Sequence, residues 1–198
     1  MKFKLIVSIL LLAIIAAGVW SGLAIVGSQQ KDASQLKAEF LKGGDFQITN
    51  AESTFRLADL KGKVVLLYFG FTSCPDVCPT GLSVIKSTMS KLGDQADEVQ
   101  ALFVTLDPER DDAARLKEYL PFFDRRIVGL SGSQSELKAV AKQYGVYYKK
   151  VSSDSSSLGY SIDHSANYFV IDTTGSLAYV LDHSVSSAML ADVIRKTQ

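Results

Sequence analysis

The chain predicts an α/β fold, a mixed sheet flanked by helices, and three patterns carry that expectation. Val64-Val-Leu-Leu-Tyr-Phe69 and Ala101-Leu-Phe-Val-Thr-Leu106 are continuously apolar and β-rich, as strands covered on both faces are. Stretches with helical spacing separate them. Near the end, Asn167 to Ile171 and Leu177 to Leu181 flank Asp172-Thr-Thr-Gly175, two strands joined by a tight turn.

Each element has its own signal. After the first strand, a helix is expected from about Pro79, with Leu82, Ile85, Met89 and Leu92 on one face and Gly93 ending it. Beyond the second strand, Asp111 or Asp112 can cap a helix that runs to Leu120, where Pro121 stops it. Arg126 to Leu130 reads as a short strand. Ser133-Gln-Ser-Glu136 is a capping box, opening a helix through Leu137, Val140, Ala141 and Tyr144 that Gly145 closes. A last helix covers Ala188 to Lys196. The predicted order is β-α-β-α-β-α-β-β-α.

Ahead of this domain, Met1-Lys-Phe-Lys4 is basic and Leu5 to Gly27 carries no charge. A run of about 20 apolar residues spans a bilayer, whereas the apolar part of a cleaved signal is usually about 7–15. The expected organisation is therefore a retained transmembrane helix at 1–27, a polar linker at 28–44 and one α/β domain at 45–198. Lys2 and Lys4 favour the cytoplasmic side, which places the domain outside the cytoplasm, in a bacterial periplasm. That compartment permits disulfides. Ser152 to Gly159 is serine-rich and reads as an exposed, mobile loop. The formal net charge is +0 with acids and bases interspersed, so there is no basic stripe for nucleic acid.

Only two cysteines occur, in Phe71-Thr-Ser-Cys74-Pro-Asp-Val-Cys78-Pro79, on the loop between the first strand and its helix. That placement in this element order is the thioredoxin-like arrangement. Pro79 fits a first helical turn, which puts Cys78 at the N-cap, where the positive helix end should lower its thiol pKa. A close dithiol can do redox work, bind a soft metal or staple the chain. The staple is the weakest reading: a loop this short is worth about 2 kcal/mol in chain entropy, and the core is large.

Two histidines could join the thiols. Asp163-His164-Ser165 precedes the strand Asn167–Ile171, which should lie beside the strand that delivers the cysteines. Thioredoxins carry a proline at that place, and here the four prolines all lie elsewhere, at Pro75, Pro79, Pro108 and Pro121. His164 is thus the expected third ligand, with Asp163 a candidate to fix its tautomer. His183 has no such placement and reads as a surface residue. Two thiolates and a neutral imidazole make a soft three-coordinate site: structural zinc wants four ligands, while Cu(I) suits three and Cu(II) needs one more donor. Asp107-Pro-Glu-Arg-Asp111 reads as a turn and helix cap with Arg110 pairing locally, and Tyr147-Tyr148 as packing.

These residues together resemble the Sco/SenC family. The likeness covers Gly62 to Pro79, Val104 to Asp111, Gly145 to Tyr148, and Asp163-His164, and Cys-Pro-Asp-Val-Cys-Pro is its most specific piece. The resemblance implies a membrane-tethered thioredoxin-like domain that binds copper, as Cu(I) and Cu(II), through Cys74, Cys78 and His164. It implies a role in assembling the dinuclear copper centre of cytochrome c oxidase. The implied partners are the copper-site subunit of that oxidase and a periplasmic copper donor or thiol reductant. Ser165 and Ala166 stand where bulkier apolar residues are common, and the serine-rich loop is divergent. Two other functions stay open: a thiol–disulfide oxidoreductase using Cys74 and Cys78 alone, and a redox or copper sensor. His164 separates them, because a dithiol reductase does not require it. The Thr-x-x-Cys segment of a peroxiredoxin-type peroxidase, with its first-turn proline, is missing, which argues against that activity.

Overall fold

A computed structural model describes Leu41 and residues 43–152 and 159–198 of the chain. The predicted anchor at 1–27, most of the predicted linker, and residues 153–158 of the serine-rich loop lie outside the described residues. No helix among the described residues is long and apolar enough to cross a membrane.

The central strand is β3 (Val64–Gly70), every residue of which is buried. It pairs in parallel with β4 (Val99–Thr105) on one side and antiparallel with β8 (Asn167–Ile171) on the other. β5 (Ile127–Leu130) extends the sheet beyond β4, and β9 (Leu177–Asp182) beyond β8, in the order β5-β4-β3-β8-β9. The parallel half requires crossovers, and the helices predicted from periodicity supply them. These are α1 (Val77–Leu92) between β3 and β4, and α2 (Ala113–Tyr119) between β4 and β5. α3 (Gln134–Gln143) follows β5, and α4 (Ser187–Arg195) ends the fold.

Alternation along β3 sorts its side chains onto two faces. Val64, Leu66 and Tyr68 pack with Leu82, Ile85 and Met89 of α1 and with Leu190 and Ile194 of α4. Val65, Leu67 and Phe69 pack with Leu137 and Val140 of α3, and this second layer also contains Phe71 and Cys78. Both faces of the strand are covered, which is why its sequence is unbroken apolar rather than alternating.

The caps behave as their chemistry demands. Asp112 accepts from Arg115 N–H at the start of α2. At α3 the Ser133 side chain accepts from Glu136 N–H while Glu136 accepts from Ser133 N–H, the reciprocal box. α1 differs from expectation: it opens at Val77, with Asp76 as N-cap, so Cys78 lies inside the first turn.

Two hairpins were not legible in the sequence. β1 (Gln47–Thr49) pairs with β2 (Thr54–Arg56). β6 (Tyr148–Ser152) pairs with β7 (Tyr160–His164), Tyr148 opposite His164. Neither joins the main sheet. β6, with two lysines and little burial, lacks the apolar pattern of a strand. Before β1, the chain is tied to α3: Tyr144 donates its hydroxyl to Gly44 O at 2.8 Å and Gln143 Nε2 donates to Gly43 O at 2.7 Å.

Candidate dithiol and metal site

The cysteines lie at the C-terminal end of β3, where an α/β sheet usually places its chemistry. The strand passes so close to the helix that glycine is required: a Cβ on Gly70 would stand 2.9 Å from Cys78 Sγ and 2.9 Å from Phe103 Cε2. After Gly70 the chain turns, Cys74 N–H donating to Phe71 O at 3.3 Å, and enters α1 at Val77. Cys78 is fully buried beneath this turn, and Cys74 is half-buried at its surface.

The two thiols are therefore unequal, and in the opposite sense to the sequence expectation. The Cys74 sulfur accepts a hydrogen bond from the Cys78 thiol and another from Cys78 N–H at 3.4 Å, which pull its pKa from 9.0 down to about 5. Donating that proton holds Cys78 in its thiol form, and burial adds to the effect, so the Cys78 pKa is pushed far upward. The helix start does favour a thiolate, but the thiolate is Cys74, whose sulfur receives the first-turn N–H. Cys78 lies two residues past the N-cap.

His164 ends β7 and comes to the dithiol from the side. Its Nε2 stands 3.6 Å from Cys78 Sγ, and its ring meets that of Phe71 edge-on at 5.7 Å between centroids. Nδ1 lies 3.4 Å from Ile162 O. A carbonyl can only accept, so Nδ1 carries the proton and the Nε2 lone pair faces the sulfur, where it is a second acceptor, beside Cys74, for the one Cys78 thiol proton. Burial lowers the imidazole pKa and keeps the ring neutral. The tautomer is thus fixed by the Ile162 carbonyl, while Asp163, predicted for that task, is exposed.

Among the described residues no three His, Cys, Asp or Glu side chains stand close enough together to form a ready-made metal centre. Cys78 touches both partners, and Cys74 and His164 flank it. His183 is exposed, with Nδ1 3.3 Å from Asp182, as its sequence position suggested. Tyr148 packs against the core, but Tyr147 is 65% exposed, against expectation.

The Asp107–Asp111 segment holds what sequence reasoning underrated. Arg110 does pair with Asp107 and Asp112 does cap α2. Asp111, however, is wholly buried, and its carboxylate accepts Thr72 N–H at 2.8 Å and the Thr72 hydroxyl at 2.6 Å in the thiol-bearing loop. The available signal was two adjacent aspartates after a strand: one can cap a helix, and the other must find different donors.

A dithiol that joins the loop after the central strand to the first turn of the following helix, faced by an imidazole, defines a thioredoxin-like domain of the soft-metal or redox class. The SCO1/SenC family model matches residues 34–198, and the chain belongs to that family. The SCO2-like protein of Rickettsia felis is 37% identical over 150 residues, covering 74% of this chain and 73% of its own. The structure of Bradyrhizobium japonicum ScoI with copper bound superposes with a TM-score of 0.71 at 37% identity, over 79% of this chain and 99% of that one. Yeast Sco1 with copper bound gives 0.70 at 33% identity, over 79% and 87%.

Proposed function

We propose that this chain is a membrane-tethered copper carrier that serves assembly of the dinuclear copper centre of cytochrome c oxidase, with copper as its cargo. The observation that supports it best is the lone pair of His164 Nε2 directed at Cys78 Sγ from 3.6 Å, with Nδ1 turned to the Ile162 carbonyl. A dithiol can exchange electrons without an imidazole, whereas a copper site uses one as a ligand. Two sulfurs and a neutral nitrogen suit soft copper, and Cys74 is ready to bind because it is already a thiolate near neutral pH. Cys74 and Cys78 would hold Cu(I) between them, and His164 would add a third donor, to which Cu(II) would add a fourth from water or a carboxylate. Residues 1–27 would anchor the chain in the inner membrane, with Lys2 and Lys4 inside and the 45–198 domain in the periplasm. There it would meet a copper donor or thiol reductant and the copper-site subunit of the oxidase.

A second reading has its own support in the low pKa of Cys74 beside a protonated Cys78. In a thiol–disulfide exchange, Cys74 would attack a partner disulfide and displace one partner thiolate. Cys78, giving up its proton, would then attack the mixed disulfide, leaving the partner as a dithiol and this chain with a Cys74–Cys78 bond. A thiol reductant would have to restore the dithiol. Thiolates bound to copper cannot make this attack, so the two activities exclude each other at any moment.

Titration of the reduced chain with Cu(II), read by absorption and electron paramagnetic resonance, tests the carrier reading. The expected result is about one equivalent bound with thiolate charge-transfer bands. His164→Ala should lose Cu(II) affinity by on the order of a hundredfold or more, since even outer partners of a ligand cost 10–100-fold. It should keep Cu(I), which two thiolates hold linearly, and His183→Ala should change neither. Unaltered Cu(II) binding in His164→Ala would sink the three-ligand site. Prompt oxidation to a Cys74–Cys78 disulfide without stoichiometric copper would favour the reductase.

A further inference from the structure

The dithiol and His164 reach each other across 86 residues, from two separate sheets. His164 ends a two-stranded hairpin, and a hairpin of two strands is marginal by itself. Something must therefore fix its place against the thiol loop. The segment Asp107–Asp111, which neither reading of the site uses, touches both.

On the thiol side, Asp111 accepts Thr72 N–H, the Thr72 hydroxyl and, at 2.8 Å, the Thr105 hydroxyl. Its carboxylate thus ties the turn that carries Cys74 to the end of β4. On the imidazole side, Asp107, 3% exposed, accepts the Tyr160 hydroxyl at 2.7 Å and is paired with Arg110. Arg110 and Lys150 both stand over the Tyr160 ring, 3.8 and 3.7 Å from its centroid. Arg110 Nη1 also donates to Tyr160 O at 3.3 Å, and Glu109 pairs with Lys150 at 2.7 Å. Tyr160 opens β7, the strand that His164 closes, and Lys150 lies on its partner β6. Both strands of the hairpin are thereby fastened to one short segment.

We propose that Asp107–Asp111 is a positioning bridge for the metal site. Asp111 sets the thiol turn, and Asp107, Glu109 and Arg110 set, through Tyr160 and Lys150, the hairpin that presents His164. One segment, fixed at the end of a central strand, thereby determines the separation of imidazole and dithiol. Neither Tyr160 nor any residue of the bridge is among the proposed ligands, so each would act through them. The inference rests on the copper reading above.

The two halves are separable by experiment on the full reduced chain. Tyr160→Leu removes the hydroxyl bond and the ring under the two cations. Peptide-resolved hydrogen exchange, without copper, should accelerate about tenfold over 160–164 and stay within twofold over 72–78. With copper, Cu(II) affinity should fall about tenfold, the low end for an outer partner, while Cu(I) stays within threefold. Asp111→Asn should do the reverse: faster exchange over 72–78, and loss for both copper states. Tyr160→Phe keeps the ring and should show a smaller shift in the same direction, and it decides the matter if the leucine variant does not fold. Wild-type Cu(II) affinity and spectrum in a folded Tyr160→Leu chain overturn the bridge and leave the copper site standing. Failure of the unsubstituted chain to bind copper overturns the copper reading and the bridge with it.

Discussion

The inequality of the two thiols gives a prediction that needs no metal. Cys74 has a pKa of about 5 because it accepts the Cys78 proton and a backbone N–H, and an ordinary thiol has 9.0. At pH 7 the thiolate fraction is then roughly a hundredfold higher than for the ordinary group. Its intrinsic reactivity is lower, however: with a Brønsted slope of about 0.4–0.5, such a fall in pKa costs each thiolate about forty- to a hundredfold. The two effects nearly cancel, so the rate at pH 7 is a poor diagnostic. The shape of the pH profile is a good one. Iodoacetamide alkylation of the reduced, metal-free chain, with the modified cysteine assigned by mass spectrometry, should be flat from pH 8 to 6. It should halve near pH 5, where an ordinary thiol would have been falling about tenfold per pH unit throughout. Modification should fall on Cys74, since Cys78 is buried and protonated. A linked stability term follows the same sign: it is complete above pH 9 and is lost as the pH falls through about 5, because only the folded state holds the proton off Cys74 there. The Cys78 shift, being upward, begins to oppose it only above pH 9. An inflection at Cys74 near pH 8–9, or first modification at Cys78, would refute the assignment of the thiolate.

Three substitutions test the packing that positions the site. Gly70→Ala should destabilise by about 1–3 kcal/mol, read as a lower Tm, because the new methyl meets Cys78 Sγ and Phe103 at 2.9 Å with neither free to withdraw. Gly81→Ala in α1 should gain about 1 kcal/mol of helix propensity and still lose stability in urea unfolding. Its Cβ would stand 2.5 Å from the Tyr68 hydroxyl, whose ring is stacked on Tyr168 at 5.1 Å. A more stable Gly81→Ala would show that the Tyr68 ring can move. Ser133→Ala should cost about 1 kcal/mol through the lost cap of α3, without any change in the Cys74 alkylation profile.

The sequence determined the layered fold because its signals are local. An unbroken apolar strand, helical spacing and a reciprocal cap act over a few residues, and the described elements β3, β4, α1, α3, β8 and β9 arise where those signals stand. It also determined the identities of Cys74, Cys78 and His164 as candidates, since soft donors are rare in this chain and their spacing is fixed. Only the tertiary structure decided how those groups share their protons. Which thiol ionises depends on burial and on who donates to whom, and a difference of two residues in the start of α1 moved Cys78 from the helix cap into the first turn, where it is buried. The β6–β7 hairpin was invisible for a related reason: its strands are short and mostly polar, and their pairing leaves no period to read. The fate of Asp107 and Asp111 was equally hidden, because a carboxylate in a turn looks the same in sequence whether it faces water or a buried threonine. Local chemistry writes the elements, and the donors, acceptors and burial that long-range packing assembles set the protonation and geometry of the site.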